Sequence, residues 1–368
     1  MNARELRRYS RHLLIPEVGL AGQERLARSR VLVIGAGGLG SPALQYLAAA
    51  GVGRIGVADF DSVDETNLQR QTIFSTADVG RPKAVAAAER MHEINPFVAA
   101  DPIVLRLEPG NAREIVRLYD VVLDCTDRFS ARYLINDACV LESKPDVYGS
   151  IFRFDGQISV FGTAGGPCYR CLFPHPPPPE SRPTCAEGGV LGVLAGLVGA
   201  WQANEALKLL LGIGEPLAGR LMLVDALLAR VREVRFERDP QCAICAGPGR
   251  IVDLDPALYD EPQPTASVPE LDAAELEESL RDAVLLDVRE PHEAVLGTLP
   301  GAVSIPASEL DARLHELDSA ACYVVACRVG AASLWAVRRL QDAGFTRLRH
   351  LRGGLLAYAA QRQEFDFF

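Results

Sequence analysis

The sequence predicts two α/β domains in one chain: a larger, doubly wound parallel sheet ending in an antiparallel extension, then a smaller α/β domain. Three observations lead there. Short apolar runs alternate with helical patterns from Arg30 onward, the arrangement that builds parallel sheets. A glycine loop, Gly35-Ala36-Gly37-Gly38-Leu39-Gly40, lies between the first apolar run and the first helical pattern. Prolines at 248, 256, 262, 264 and 269 then interrupt the alternation before it resumes. A chain of 368 residues also exceeds what one core usually supports. The expected boundaries are 1–247 for the first domain, 248–268 for a linker and 269–368 for the second.

A strand over Arg30 to Ile34 leads through the glycines into a helix ending near Ala50, and a second strand, Arg54 to Ala58, ends at Asp59. Strand, G-x-G-x-x-G, helix, strand and acid form a nucleotide-binding signature. The glycines let backbone amides approach a phosphate, and the acid, about 20 residues on, meets a ribose. A helix near Lys83 to Glu93, a strand at Val121 to Leu123, a helix near Phe129 to Val140 and a strand at Asp146 to Tyr148 continue the parallel sheet. Asp155-Gly156, flanked by Phe152-Arg153-Phe154 and Gln157 to Phe161, predicts a two-residue turn that switches the sheet to antiparallel. A second antiparallel pair follows at Leu221 to Val224 and Arg230 to Phe236. The uncharged run Gly188 to Trp201 falls short of the ~20 residues of a membrane span and reads as a buried helix. Pro174 to Pro183 predicts an exposed loop leading to Cys185. Beyond the linker, strands at Val284 to Leu286, Ala302 to Ile305, Tyr323 to Ala326 and Arg347 to Leu351 alternate with helices.

Composition narrows the function classes. The chain is 48% hydrophobic and 23% charged, as globular proteins are, and its formal charge of -10 argues against a nucleic-acid partner. Met1 to Arg11 carries four arginines and no apolar stretch of a leader, so a cytoplasmic protein with no membrane partner is expected. Nine cysteines in a reducing compartment would then serve as ligands or nucleophiles.

The glycine loop alone would suit a nicotinamide or flavin dehydrogenase. Asn67-Leu68-Gln69-Arg70-Gln71, Lys83 and Asp127 point elsewhere, placing an arginine, a lysine and a carboxylate after successive strands, at the edge where ligands bind. Phosphoryl or adenylyl transfer uses such cations to offset phosphate charge and a carboxylate to hold Mg²⁺; hydride transfer needs neither. An NAD-dependent oxidoreductase and a non-catalytic scaffold remain the alternatives, and any single charge here could be a solvated surface group.

The cysteines carry a second chemistry. Cys327-Arg328-Val329-Gly330-Ala331-Ala332-Ser333 follows the apolar run Tyr323 to Ala326 and precedes a helical pattern, Leu334 to Leu340. A thiol there sits in a ring of backbone N–H groups at a helix N-terminus, where a thiolate or persulfide is stabilised. Cys168-Tyr169-Arg170-Cys171 and Cys242-Ala243-Ile244-Cys245 can together offer four thiolates to a structural Zn²⁺, although a redox pair also fits the spacing. Cys125, Cys139 and Cys322 lie in apolar stretches and read as buried packing residues.

Arg8-Tyr9-Ser10-Arg11, the glycine loop, Asp59-Phe60-Asp61, Asn67 to Gln71, Lys83, Asn95-Pro96 and Asp124-Cys125-Thr126-Asp127 resemble, in order, the pattern of MoeB/ThiF adenylyltransferases, relatives of the ubiquitin-activating enzymes. The resemblance, over residues 5–247, implies a doubly wound, Rossmann-like E1 adenylation domain with an antiparallel extension and a four-cysteine zinc site. Such a domain uses ATP and Mg²⁺ to adenylate the C-terminal glycine of a ubiquitin-like sulfur carrier of the MoaD/ThiS type. By position it implies Gly35, Gly37, Gly38, Gly40, Asp59, Asn67, Arg70 and Lys83 around ATP, Asp127 on Mg²⁺, and Cys168, Cys171, Cys242 and Cys245 on Zn²⁺. Arg11 is similar to an arginine that reaches a phosphate across a homodimer interface, and Cys185 to a loop cysteine that bonds the carrier in some relatives.

From about residue 270 to the end the chain resembles a rhodanese domain, through Leu285 to Glu290, Gly297, Pro300-Gly301-Ala302, Ile305-Pro306, the Cys327 loop and Leu351-Arg352-Gly353-Gly354. This implies a small α/β domain whose Cys327 takes sulfur from a cysteine desulfurase or thiosulfate as a persulfide and passes it to the adenylated carrier. Ala332 and Thr298 stand where thiosulfate-using members commonly carry Arg and His, which counts against thiosulfate. Molybdenum cofactor biosynthesis is the favoured pathway, with thiamine, cysteine or tRNA thiolation as others.

Overall fold

The computed structural model describes residues 1–176, 189–246, 250–259, 268–294 and 297–362. The described residues fall into two compact units, the first holding those up to 259 and the second those from 268 onward. In the first, β1 (Arg30–Ile34), β2 (Arg54–Ala58), β3 (Ala99–Ile103), β4 (Val121–Asp124), β5 (Asp146–Phe152), β6 (Asp155–Phe161), β7 (Arg220–Asp225) and β8 (Arg230–Arg235) form one sheet, in the order β3-β2-β1-β4-β5-β6-β7-β8. Pairing is parallel from β3 to β5 and antiparallel from β5 to β8.

The run Val31-Leu32-Val33-Ile34 shows why helices cover both faces. Val31 and Val33 pack with Leu44 and Leu47 of the helix Gly40–Ala50, while Leu32 and Ile34 pack with Tyr133 and Ile135 of the helix Phe129–Leu141. A strand buried on both sides must be apolar throughout, which is what makes it visible in sequence. β3 has no such signal, because Asp101 and Pro102 lie within it; at the edge of the sheet a missing amide is tolerated.

The antiparallel switch occurs between β5 and β6, but the turn is Arg153-Phe154 and not Asp155-Gly156. Phe152 pairs with Asp155 and Ile151 with Gly156, so the glycine is inside the ladder. Arg153 adopts the left-handed φ of 51°. Gly156 is required for a different reason: a Cβ there would lie 2.7 Å from Val198.

The run read as a buried helix forms Gly192–Leu211. One face packs on the helix Gly40–Ala50 so closely that a Cβ on Gly199 would lie 2.2 Å from the Leu39 carbonyl oxygen. The opposite face is not buried, with Val193 and Leu197 exposed at 62% and 46%. No described helix is long and apolar enough to cross a membrane. Cys185 and most of the proline-rich loop before it lie outside the described residues.

Residues 250–259, within the stretch read as a linker, pack on the first unit. Leu254 and Tyr259 are buried in the same core as Tyr133, and the Tyr259 hydroxyl donates to Asp137 Oδ2 at 2.8 Å.

In the second unit β9 (Glu270–Leu271), β10 (Val284–Asp287), β11 (Val303–Ser304), β12 (Tyr323–Ala326) and β13 (Leu348–Leu351) form a parallel sheet ordered β11-β10-β12-β13-β9. It too is covered on both faces, Leu286 and Val325 facing one core and Leu285 and Val324 the other. The edge strand β9 is two residues long, too short to carry a period.

Candidate active sites

The strand order of the first unit reverses between β1 and β4, and in sheets of this kind ligands bind beyond the carboxyl ends of the strands at that point. The glycine loop sits there, between β1 and the 11-residue helix Gly40–Ala50. Gly35 has φ 94°, and a Cβ on it would lie 2.8 Å from the Cys125 carbonyl oxygen at the end of β4. Gly40 is tighter still, since its Cβ would fall 1.9 Å from the Gly35 carbonyl oxygen. Gly37 lies over the Gln71 side chain, and Gly38 lies against Ala195 and the Arg70 stem. The loop, the Asn67 to Gln71 segment and the long helix are therefore brought to one place.

Asp59, at the end of β2, is nine-tenths buried. Its carboxylate accepts the Ala36 amide at 2.8 Å and the Asp61 amide at 2.9 Å, tying the acid to the loop. Burial pushes its carboxyl up from the usual range, opposed by those amides and the Lys83 charge. Lys83 is itself buried, at the start of the helix Lys83–Ile94, and its ammonium reaches the half-exposed Asp61 at 3.2 Å. The buried Lys83 ammonium is thus held among carboxylates, Asp61 at 3.2 Å and the nearby Asp59.

The remaining residues are more open. Asn67 and Arg70 are partly exposed, and Arg70 donates to the Thr66 carbonyl oxygen at 3.0 Å. Asp127 is exposed just beyond β4, where Asp124 is buried and holds the Thr126 amide and hydroxyl. Arg11 is exposed on the short helix Ser10–Leu13. Its neighbour Tyr9 is buried, and its hydroxyl accepts from Asn95 Nδ2 at 2.8 Å, which in turn bonds the Ala48 carbonyl oxygen. The two sequence segments Arg8 to Arg11 and Asn95-Pro96 thus hold one another.

The two C-x₂-C pairs meet. Cys168 Sγ lies 3.8 Å from Cys171 Sγ and 3.5 Å from Cys242 Sγ, and Cys171 Sγ lies 3.4 Å from Cys245 Sγ. All four ligand atoms fall within 4.8 Å of one another. Thiols so close share protons: a hydrogen bond from Cys168 draws Cys171 down to about 5, while burial drives Cys245 up to about 11. Four sulfurs this close fit Zn²⁺, which would replace those protons when bound. Through Arg170 the first pair joins a buried network that sequence reasoning missed, in which Arg170 is bidentate to Asp137, which also accepts from Tyr259. Arg170 lies inside the first C-x₂-C, and its burial is the signal that could not be read there.

Cys327 follows β12 and is 4% exposed. Its sulfur accepts the Gly330 amide at 3.1 Å and faces the Ser333 hydroxyl at 3.4 Å, at the start of the helix Ala331–Asp342. Gly330 has a φ of 104°, in the left-handed region that favours glycine. Behind the loop, Gly354 approaches so closely that a Cβ would lie 2.4 Å from the Cys327 carbonyl oxygen. Asp287 and Arg289 form a buried bidentate pair that Thr298 completes with a hydroxyl at 3.0 Å. Ser333 and His350 are the site residues sequence reasoning left unassigned. Cys125 and Cys139 are buried, as expected, but Cys322 is partly exposed.

The ThiF family profile matches residues 9–244. The chain belongs to the ThiF family. A rhodanese-like domain profile matches residues 272–361. This ThiF chain is 45% identical over 375 residues to a Mycobacterium tuberculosis protein named "Probable adenylyltransferase/sulfurtransferase MoeZ", covering 99% of this chain and 95% of that one. It is 54% identical over 246 residues to the sulfur carrier protein adenylyltransferase of Thermus thermophilus, covering 66% and 91%. The adenylyltransferase and sulfurtransferase MOCS3 of Bos taurus is 40% identical over 396 residues, with 98% and 87% covered. Among solved structures, E. coli MccB with ATP matches with a TM-score of 0.57 at 21% identity, over 67% of this chain and 75% of that one, a likeness of fold.

Proposed function

We propose that this chain adenylates the C-terminal glycine carboxylate of a ubiquitin-like sulfur carrier with ATP, and that Cys327 then delivers persulfide sulfur to give a carrier thiocarboxylate. The observation that carries the reading is the pairing, in one ThiF chain, of the Lys83, Asp59 and Asp61 cluster beside a glycine loop with a cysteine whose sulfur faces an N–H and an O–H. In the first step a carboxylate oxygen attacks the α-phosphorus and pyrophosphate leaves. Two anions must meet, and Lys83 and Arg70 offset their repulsion, while the loop amides and Asp59 hold the nucleotide. Asp127 would hold Mg²⁺, which neutralises phosphate charge when bound. In the second step the outer sulfur of the Cys327 persulfide attacks the acyl carbon and AMP leaves. Attack of a second thiolate on Cys327 Sγ then breaks the Sγ–S bond, frees the thiocarboxylate and leaves a disulfide between that thiol and Cys327, with Cys185 the candidate within the chain.

Exposed Leu14 and Ile15 beside Arg11 support a homodimer in which Arg11 acts on the partner's nucleotide. The sulfur donor is a cysteine desulfurase before thiosulfate, the pathway that of the molybdenum cofactor, and the compartment the cytoplasm. The test is the intact mass of a MoaD-type carrier after incubation with Mg-ATP and a persulfide donor. Thiocarboxylate with the native chain, and only adenylate with Cys327→Ala, is the expected pair of results; equal thiocarboxylate from Cys327→Ala would refute the second half of the proposal.

A further inference from the structure

The carbonyl oxygen of Gly330 draws more donors than it can accept. The Leu334 amide reaches it at 3.1 Å as the first turn of the helix, His350 Nε2 at 2.7 Å and Ser333 Oγ at 3.0 Å. A carbonyl has two lone pairs, and a hydroxyl has one proton to give. Ser333 Oγ also faces Cys327 Sγ at 3.4 Å, so its proton goes to whichever acceptor the other donors leave open.

We propose that His350 is a positioning residue for sulfur transfer. Together with the Leu334 amide it fills the lone pairs of the Gly330 carbonyl oxygen, and so turns the Ser333 hydroxyl onto the sulfur of Cys327, beside the Gly330 amide. The inference rests on the reading of Cys327 as the sulfur-bearing residue.

Three features of His350 support the assignment. Its backbone is fixed in β13, opposite Val325 and with its amide on the Pro269 carbonyl oxygen at 2.8 Å, which fixes the point from which the ring reaches Gly330. The ring is buried, at 5% exposure, and Nδ1 has no partner among the described residues. A carbonyl only accepts, so Nε2 carries the proton and the ring makes a single hydrogen bond, the one to Gly330. Packing alone would be met by a leucine without leaving a polar atom buried and unpartnered. Donors on a sulfur anion are charge-assisted, and the redirected hydroxyl matters most when Cys327 is ionised.

The test uses the full-length chain and the rate at which iodoacetamide alkylates Cys327 at one fixed pH near neutrality, read from the mass of the Cys327 peptide. His350→Leu and Ser333→Ala should each slow alkylation about three- to tenfold. The double variant should be no slower than either single one, and His350→Gln, which retains an N–H in place of Nε2, should restore the rate. Native-like alkylation of His350→Leu, losses that multiply in the double variant, or a His350→Gln as slow as His350→Leu would each overturn the inference. Ser333→Ala barely disturbs packing and keeps the test valid if the leucine variant unfolds, since a native rate there also overturns it. Alkylation needs neither ATP nor carrier, so a failure of the proposed reaction would show separately, as absent thiocarboxylate.

Discussion

Replacing Cys242 with serine tests how the first unit is held together. A tetrahedral Zn²⁺ with Zn–S of about 2.3 Å sets its sulfurs about 3.8 Å apart, and the observed neighbours lie at 3.4, 3.5 and 3.8 Å. The ligand loop also anchors the next stretch of chain, because the Ile251 amide donates to the Ala243 carbonyl oxygen at 2.7 Å. Losing the metal should therefore free residues 250–259. That releases the Tyr259 hydrogen bond to a buried carboxylate, about 1.5–3 kcal/mol, and the burial of Leu254 and Tyr259, about 1.5–3 kcal/mol each. The sum, about 4.5–9 kcal/mol, corresponds to a fall in Tm of at least about 9 °C for a unit of this size. Metal content by plasma mass spectrometry and thermal unfolding with and without chelator read both halves of the argument. One zinc per native chain and none in Cys242→Ser, with the lower Tm, is expected; a native chain that purifies without metal, or an unchanged Tm in the variant, would refute it.

Gly40→Ala should cost about 1–3 kcal/mol of stability and reduce carrier-dependent ATP–pyrophosphate exchange more than tenfold, because its Cβ would sit 1.9 Å from the Gly35 carbonyl oxygen. Asp287→Asn leaves Arg289 buried without its charge partner and should lower the stability of the second unit by about 3–5 kcal/mol, measured by denaturant unfolding. Burial, reinforced by the nearby Asp124, holds the Asp146 carboxyl well above the usual range. An acid with a raised folded value binds more protons folded than unfolded, so stability falls as pH rises through that interval. Asp146→Asn should remove that slope, gaining stability on the native chain between pH 5 and pH 8 in unfolding curves; parallel curves would contradict it.

The parts of the fold that were legible are those where one physical demand fixes the residue types. β1, β2, β4 and β12 are buried on both faces and are nearly continuous apolar runs, found within a residue of their observed limits. β3 and β9 are edge strands with one neighbour, so Asp101 and Pro102 can enter one and two residues suffice for the other. The misplaced turn has the same origin. Asp155-Gly156 has turn chemistry, but Gly156 answers to Val198 across the core, a demand from a residue 42 positions away that no local pattern records. Residues 250–259 look like a linker for a similar reason: Pro256 and the acids around it give no period, and what holds Tyr259 is the distant core around Tyr133 and the buried Asp137.

The cysteines show what decides a functional site once the fold is set. Cys125 and Cys327 are equally withdrawn from solvent, at 7% and 4% exposure, and both follow a buried parallel strand. Their neighbours differ in kind. Cys125 donates to the Gln202 side-chain oxygen Oε1 at 3.6 Å, an acceptor fixed in place because Gln202 Nε2 donates to the Asp124 and Val147 carbonyl oxygens. Burial and the nearby Asp124 and Asp146 push its thiol well up, so it remains protonated and packs as a small apolar group. Cys327 instead meets an N–H and an O–H, both able to donate to an anion. The glycine three residues after Cys327 supplies the first donor and is visible in sequence. The second is Ser333 only because His350, on another strand, occupies the acceptor that would otherwise hold its proton, and that competition exists only in three dimensions.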